Sequence, residues 1–155
     1  MNKKFILILI LFNFVSHCGF TPLYSNKSNM NFSIETIKLE GDRTINNFFK
    51  INLNQYNNNQ YNKKFNIKIK TTFNKEILSK DKAANITNYE LSSNAIIEIK
   101  LNEKLIKELN ITEKKIVDDI DDNFEEQKNE RITKQTFASS MANKLLTELS
   151  MLNDN

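Results

Sequence analysis

An α+β fold, a four-stranded sheet packed against two helices in the order β-α-β-β-β-α, is predicted by three observations on the sequence. Two long stretches, Phe65 to Phe73 and Tyr89 to Leu101, place apolar residues at every second position except Thr71 and Ser93. Two others, Ile45 to Tyr56 and the region beyond about Glu126, repeat them every three or four positions. Each strand thus has one apolar face and each helix one apolar stripe, and two layers bury both.

At 155 residues the chain has room for one domain and one modest core. Its 22 Lys and Arg against 19 Asp and Glu give a formal charge of +3, too weak to imply a nucleic-acid partner. Asn and Ile are heavily used while Gly and Pro number two and one. That bias has the mark of A/T-rich codons, so abundant Lys and Asn are not by themselves functional signals. The tract N-Q-Y-N-N-N-Q-Y-N (54–62) reads accordingly as a helix end and a polar loop.

Met1 to Lys4 is a short positive segment, and Phe5 to Val15 is an almost unbroken apolar run. As a helix that run spans only ~16 Å, about half of a bilayer's hydrocarbon core. The layout is that of a secretory leader followed by a processing site. Residues 15–24, V-S-H-C-G-F-T-P-L-Y, hold the chain's only Cys, His and Pro. A lone thiol in an oxidising compartment is an awkward leftover. A lipoprotein site makes better use of it: cleavage before Cys18 leaves that residue first and acylated. Val15 and Ser16 suit such a site, whereas His17 stands where a small residue is usual. Residues 1–17 are therefore read as a lipoprotein signal peptide, 18–31 as a lipidated N-terminus and tether, and 32–155 as a single domain. Cleavage there also removes the only histidine and caps the only thiol. The mature chain then has no Cys/His nucleophile pair, zinc cluster or Ser-His-Asp triad, which argues against an enzyme.

Along the mature chain, Phe32, Ile34, Ile37 and Leu39 alternate with a slip of phase at Thr36, the pattern of a strand carrying a bulge. Gly41 to Thr44 breaks it, and Asp42 or Thr44 can cap a helix whose apolar face is Ile45, Phe48, Phe49, Leu53 and Tyr56. The second strand covers Phe65 to Phe73, and Leu78 to Thr87 reads as a polar connection. The third strand covers Tyr89 to Leu101; Asn102 to Lys104 turns into a fourth over about Leu109 to Val117. The run D-D-I-D-D (118–122) lacks the spacing and central Gly of a calcium loop and reads as solvated acid, so no metal or other cofactor is expected. In the closing helix, Ala138, Met141, Ala142, Leu145, Leu149 and Leu152 share one face, with Lys134, Lys144 and Glu148 on the polar one.

The motif C-G-F-T-P-L-Y (18–24) resembles the start of LptE-type lipopolysaccharide-assembly lipoproteins, the alphaproteobacterial type in particular. The resemblance extends by pattern to the tether, the β-α-β-β-β-α order, the strand N-Y-E-L-S-S-N-A-I-I-E-I (88–99) and the closing helix with its small residues and leucines. It implies a non-enzymatic protein of the Gram-negative outer membrane, periplasm-facing and held by palmitate-class acyl chains on Cys18. It further implies a plug that assists assembly of the LptD β-barrel and binds lipopolysaccharide. Two or three chains are needed for stable anchoring, since one binds only marginally. Lipid A phosphates require cations, and the alternation places Lys68, Lys70 and Lys100 on the sheet face away from the helices. An outer-membrane lipoprotein of another system, such as a pilotin escorting a secretin, is the competing reading.

Overall fold

A computed structural model describes residues 31–57 and 61–154. The leader, the cleavage site at His17 and Cys18, and the motif through Tyr24 lie outside the described residues. The rest is the predicted α+β sandwich: β1 (Ser33–Gly41), α1 (Arg43–Leu53), β2 (Lys64–Lys80), β3 (Ile86–Leu101), β4 (Lys104–Asp118) and α2 (Asn123–Asp154). The strands lie in the order β1-β2-β3-β4. β1 runs parallel to β2, and the other two pairings are antiparallel.

The phase slip read in β1 is a real irregularity, because its register on β2 shifts between Ile34 and Thr36. Since β1 and β2 are parallel, the chain must cross back between them, and α1 makes the crossing. The turn into it is tight. Gly41 has φ +100°, and a Cβ there would sit 1.8 Å from the Thr71 carbonyl oxygen. Asp42, one of the two predicted caps, accepts from the Ile45 amide through Oδ1 at 2.9 Å. The same helix is pinned from inside, where the Thr71 hydroxyl donates to Asn46 Oδ1 at 2.9 Å. Ile45, Phe49 and Leu53, at intervals of four, are fully buried. A single 3₁₀ turn, Asn54–Tyr56, extends the helix and buries Tyr56. Phe32 lies stacked on Tyr56 (6.0 Å between ring centres) and edge-on to Phe65 (5.7 Å), closing that end of the core.

The hairpin of β2 and β3 is longer than its apolar alternation. The polar connection expected from Leu78 to Thr87 shrinks to the turn Asp81–Asn85, with strand on both sides. Two things hide this from the pattern. The register shifts around Ser79, which breaks the period, and the pairing there is secured by polar side chains. Ser79 Oγ lies 2.7 Å from Asn88 Oδ1 and 2.6 Å from the Thr87 hydroxyl. Asp81 closes the turn by accepting from the backbone amides of Ala83 and Asn85 and from Asn85 Nδ2, and the Asn85 side-chain bond, followed by its backbone bond, holds the Asp81 carboxyl below the usual range. β4 likewise starts at Lys104, ahead of the expected Leu109, because a register shift between Ile99 and Lys100 leaves Ile106 out of phase. Asn102 and Glu103 both have positive φ, the handedness that suits a two-residue hairpin turn.

α2 begins at Asn123, slightly earlier than the periodicity indicates, because Asp122 caps it. Asp122 Oδ1 accepts from the amides of Phe124 (2.8 Å) and Glu125 (3.1 Å). One residue of the acidic run is thus structural. Phe137, Ala138, Met141, Ala142, Leu145, Leu146 and Leu149 bury the helix on the odd-numbered side chains of β2 and β3, from Phe65, Ile67 and Ile69 to Ala95, Ile97 and Ile99. At the far end Lys63 Nζ donates to the carbonyls of Leu152 (2.6 Å) and Asn153 (3.1 Å), supplying cation and donor to a helix C-terminus.

Gly41→Ala is expected to destabilise the domain by about 2–5 kcal/mol, since it combines backbone strain with a clash against main chain that cannot move aside. Leu145→Ala, a cavity mutation in the same core, should cost about 2–5 kcal/mol as well. Urea titration followed by circular dichroism measures both; a loss below about 1 kcal/mol for Gly41→Ala would mean the turn opens at little cost.

Candidate functional site

Helices cover one face of the sheet, and the other carries the even-numbered side chains of β2 and β3. That open face is the first of two candidate surfaces. Lys68 stands in its middle, beside Lys38 of β1 and Glu98 of β3 in the register. It pairs with Glu40 at 3.2 Å, and Lys100 lies 4.0 Å from Glu98. Lys68 and Lys100 line a shallow depression of about 390 Å³ together with Lys38, Asn66, Glu35 and Glu103. Lys70 lies outside it, opposite Glu40 and Ile96. Of the three lysines selected from the alternation, two therefore meet and one stands apart. Lys38 belongs with the two, and its place in the β1 alternation could have marked it.

The lysines are embedded in a polar lattice and do not form a cationic patch. Thr36 donates to Asn66 Oδ1 at 2.6 Å, and Asn66 Nδ2 donates to Glu35 at 3.2 Å. Further along, Asn94 Nδ2 donates to Asn110 (2.5 Å) and Thr112 (3.0 Å), and Lys114 to Glu90 (2.7 Å). The Glu90 carboxylate raises the Lys114 pKa above the ordinary lysine range. Exposed pairs of this sort are worth about 0–1 kcal/mol each, so what they determine is the character of the face. It is solvent-exposed, mixed in charge and rich in amides and hydroxyls.

The second surface is the seam between α2 and the sheet. Lys134, Lys144 and Glu148, expected on the solvated side of α2, instead reach across to the strands. Lys144 pairs with Glu113 at 2.7 Å and Glu148 with Lys107 at 2.5 Å. Lys134, whose side chain is only 14% exposed, bridges Asp42 (3.2 Å) and Glu130 (3.0 Å) and lies over the Phe73 ring at 4.1 Å. Lys75 repeats the arrangement, paired with Glu126 and lying 4.0 Å over the Tyr89 ring. Burial lowers the pKa of both lysines, but their carboxylate partners more than reverse this, and each ends above the ordinary range. The Asp42 carboxylate, a helix cap, is thus also the partner of a residue in the other helix.

No family model and no curated protein matches the chain. Solved structures do. Rare lipoprotein B from Shewanella oneidensis superposes with a TM-score of 0.60 over 77% of this chain and 97% of its own, at 13% identity. A lipoprotein B from Nitrosomonas europaea gives 0.58 over 83% and 90%, at 13% identity. A lipoprotein from Caulobacter crescentus gives 0.53 over 77% and 89%, at 14% identity. The chain has the fold of bacterial lipoproteins. With nearly the whole of each neighbour covered, the shared fold is the complete sandwich. At such identities the likeness carries the backbone and no side chain, so the chemistry of both surfaces has to be read from this chain alone. Among the described residues no three His, Cys, Asp or Glu side chains are placed to hold a metal ion.

Lys134→Ala is expected to cost about 1–3 kcal/mol, because it leaves Asp42 and Glu130 without their partner beside the half-buried Phe73 ring. The Lys134 pKa is raised in the folded state, so its contribution is complete below the ordinary value near 10.5 and fades as pH climbs through the raised one. Wild type should therefore lose its advantage over the variant on the alkaline side only. Urea midpoints measured from neutrality to about pH 12 test the sign, and a difference that instead grows with pH would contradict it.

Proposed function

We propose that this protein is a non-enzymatic outer-membrane lipoprotein, anchored through acyl chains on Cys18, that plugs and assists an LptD-type β-barrel and binds lipopolysaccharide on its open sheet face. Two separate observations support the reading. The motif at 18–24 resembles LptE-type proteins, and the fold is shared with rare lipoprotein B, which belongs to the LptE family. The observation that carries it is the open face. A plug inside a barrel presents a surface to a hydrated wall, and a lattice of amides, hydroxyls and partly neutralised charges suits that wall. Apolar cover on that side would instead have called for a third layer.

Lipopolysaccharide binding rests on the cations of the same face. Lys68 and Lys100 are partly neutralised by Glu40 and Glu98, while Lys38 and Lys70 have no carboxylate within pairing distance among the described residues. These two are the groups most available to phosphate, Lys acting as a point charge without the fork of Arg.

Affinity purification from membranes should recover a large β-barrel protein. Recovery of a secretin would favour the pilotin reading, and recovery of neither would remove the plug reading. Intact mass should show acylated Cys18 as the first residue; a free thiol or a retained His17 would sink the anchor. The double variant Lys38→Glu/Lys70→Glu should weaken lipopolysaccharide binding roughly tenfold in low salt, with less effect in high salt. Unchanged affinity at both ionic strengths would move the ligand off this face.

A further inference from the structure

The helix-covered side of the sheet is unevenly filled. Beneath the C-terminal two-thirds of α2 the inward positions are Phe137, Met141, Leu145 and Leu149, and the packing is closed. Toward its N-terminus they become Thr133, Glu130, Asn129 and Glu126. Thr133 is 1% exposed, and its hydroxyl has no partner among the described residues. Beyond it α2 stands off the sheet over a cavity of about 380 Å³. It is a cleft open to solvent along Lys115, Ile116 and Asn129, and its volume falls within the range of small-ligand sites, about 300–1,000 Å³.

The chemistry of the cavity divides cleanly. Tyr89, Leu91, Val117 and Ile120 give it apolar walls. Two of its carboxylates are already satisfied, Glu126 by Lys75 and Glu130 by Lys134. The Asp118 carboxylate accepts from Asn88 Nδ2 at 2.7 Å. Lys115, also in the lining, has no carboxylate within pairing distance among the described residues. Hydrocarbon can enter without breaking an ion pair, and one cation remains for one anionic group. A second polar ligand would have to compete with partners already in place.

The geometry points to a binding site for a single-chain anionic amphiphile of the fatty-acid class, its chain between α2 and the β3–β4 strands and its head on Lys115. This site is on the helix-covered side of the sheet, opposite the open face, and does not depend on the barrel reading. A chain of about a dozen carbons is the size to test.

The experiment uses the full chain in vesicles of zwitterionic phospholipid, with a dodecanoic acid bearing a diazirine as the probe. Photolabelling should saturate and map to peptides containing Tyr89–Leu91, Val117–Ile120 and Glu126–Glu130. Excess dodecanoate should abolish it. Acetate, a head without a chain, should not compete, and dodecanol, a chain without the charge, should compete at least tenfold less well. Val117→Trp and Asn129→Trp each fill the space and should remove the labelling, while Lys115→Glu should weaken it about tenfold. Asn129 lines the cleft at its solvent-exposed rim, so its variant stays informative even where Val117→Trp fails to fold. Labelling that does not saturate, or that survives Asn129→Trp with a native circular dichroism spectrum, would overturn the site. Equal competition by dodecanol together with an unaffected Lys115→Glu would overturn the role given to Lys115.

Discussion

The architecture hangs on one close approach, the passage of Gly41 against the main chain of Thr71. β1 has to lie parallel to β2 to complete the sheet, and a parallel neighbour obliges the chain to cross over. The crossing begins where the backbone of Gly41 nearly touches the Thr71 carbonyl, a contact that only a residue without a Cβ can make. From that point the next residues follow. Asp42 donates its amide to the same Thr71 carbonyl (3.3 Å) and caps α1, while the Thr71 side chain fastens Asn46. One residue of β2 thus fixes the end of a strand, the start of a helix and the first turn of that helix. Asp42 then engages Lys134, which links α1 to α2.

The two sides of the sheet solve different problems. On the covered side, charged residues of α2 bend toward the strands and find partners, so that a helix with a mixed surface is held along its flank as well as by its apolar stripe. On the open side the same residue types are interleaved in short range, Lys against Glu and Asn against Thr, with exposed Ile96 and Ile116 among them. The first arrangement fastens elements of the chain to each other. The second leaves a polar surface of mixed charge exposed to solvent.

The core of this design is legible in the sequence because burial imposes a period. Phe65, Ile67 and Ile69, or Met141, Leu145 and Leu149, announce both their element and their face. Legibility fails where polar groups replace apolar ones at the same task. Ser79, Thr87 and Asn88 continue a ladder through side-chain hydrogen bonds, which no hydropathy pattern registers. Ile106 and Leu78 sit at irregular register, so the apolar residues there disrupt the period that would have revealed them. The seam is hidden for another reason. Asp42 and Lys134, or Lys75 and Glu126, are far apart in the chain, and charge alone does not say whether a lysine meets water or a distant carboxylate. The lysines of the open face could be assigned to a face by parity, but their neighbours across strands, Lys38 above all, depend on a register that only the folded sheet supplies.

The connectivity also sets an order of assembly. β2, β3 and β4 are sequential neighbours joined by short turns, and closing such loops costs little chain entropy. β1 is different: its partner is separated from it by α1 and the segment beyond, and its hydrogen bonds come only after that longer loop is closed. Because contacts close in sequence form fastest, the three-stranded meander is the natural nucleus, and the helices gain a surface to pack on as it forms. The strand made first by the ribosome is the last to be locked into the sheet, when Gly41 comes to rest on Thr71.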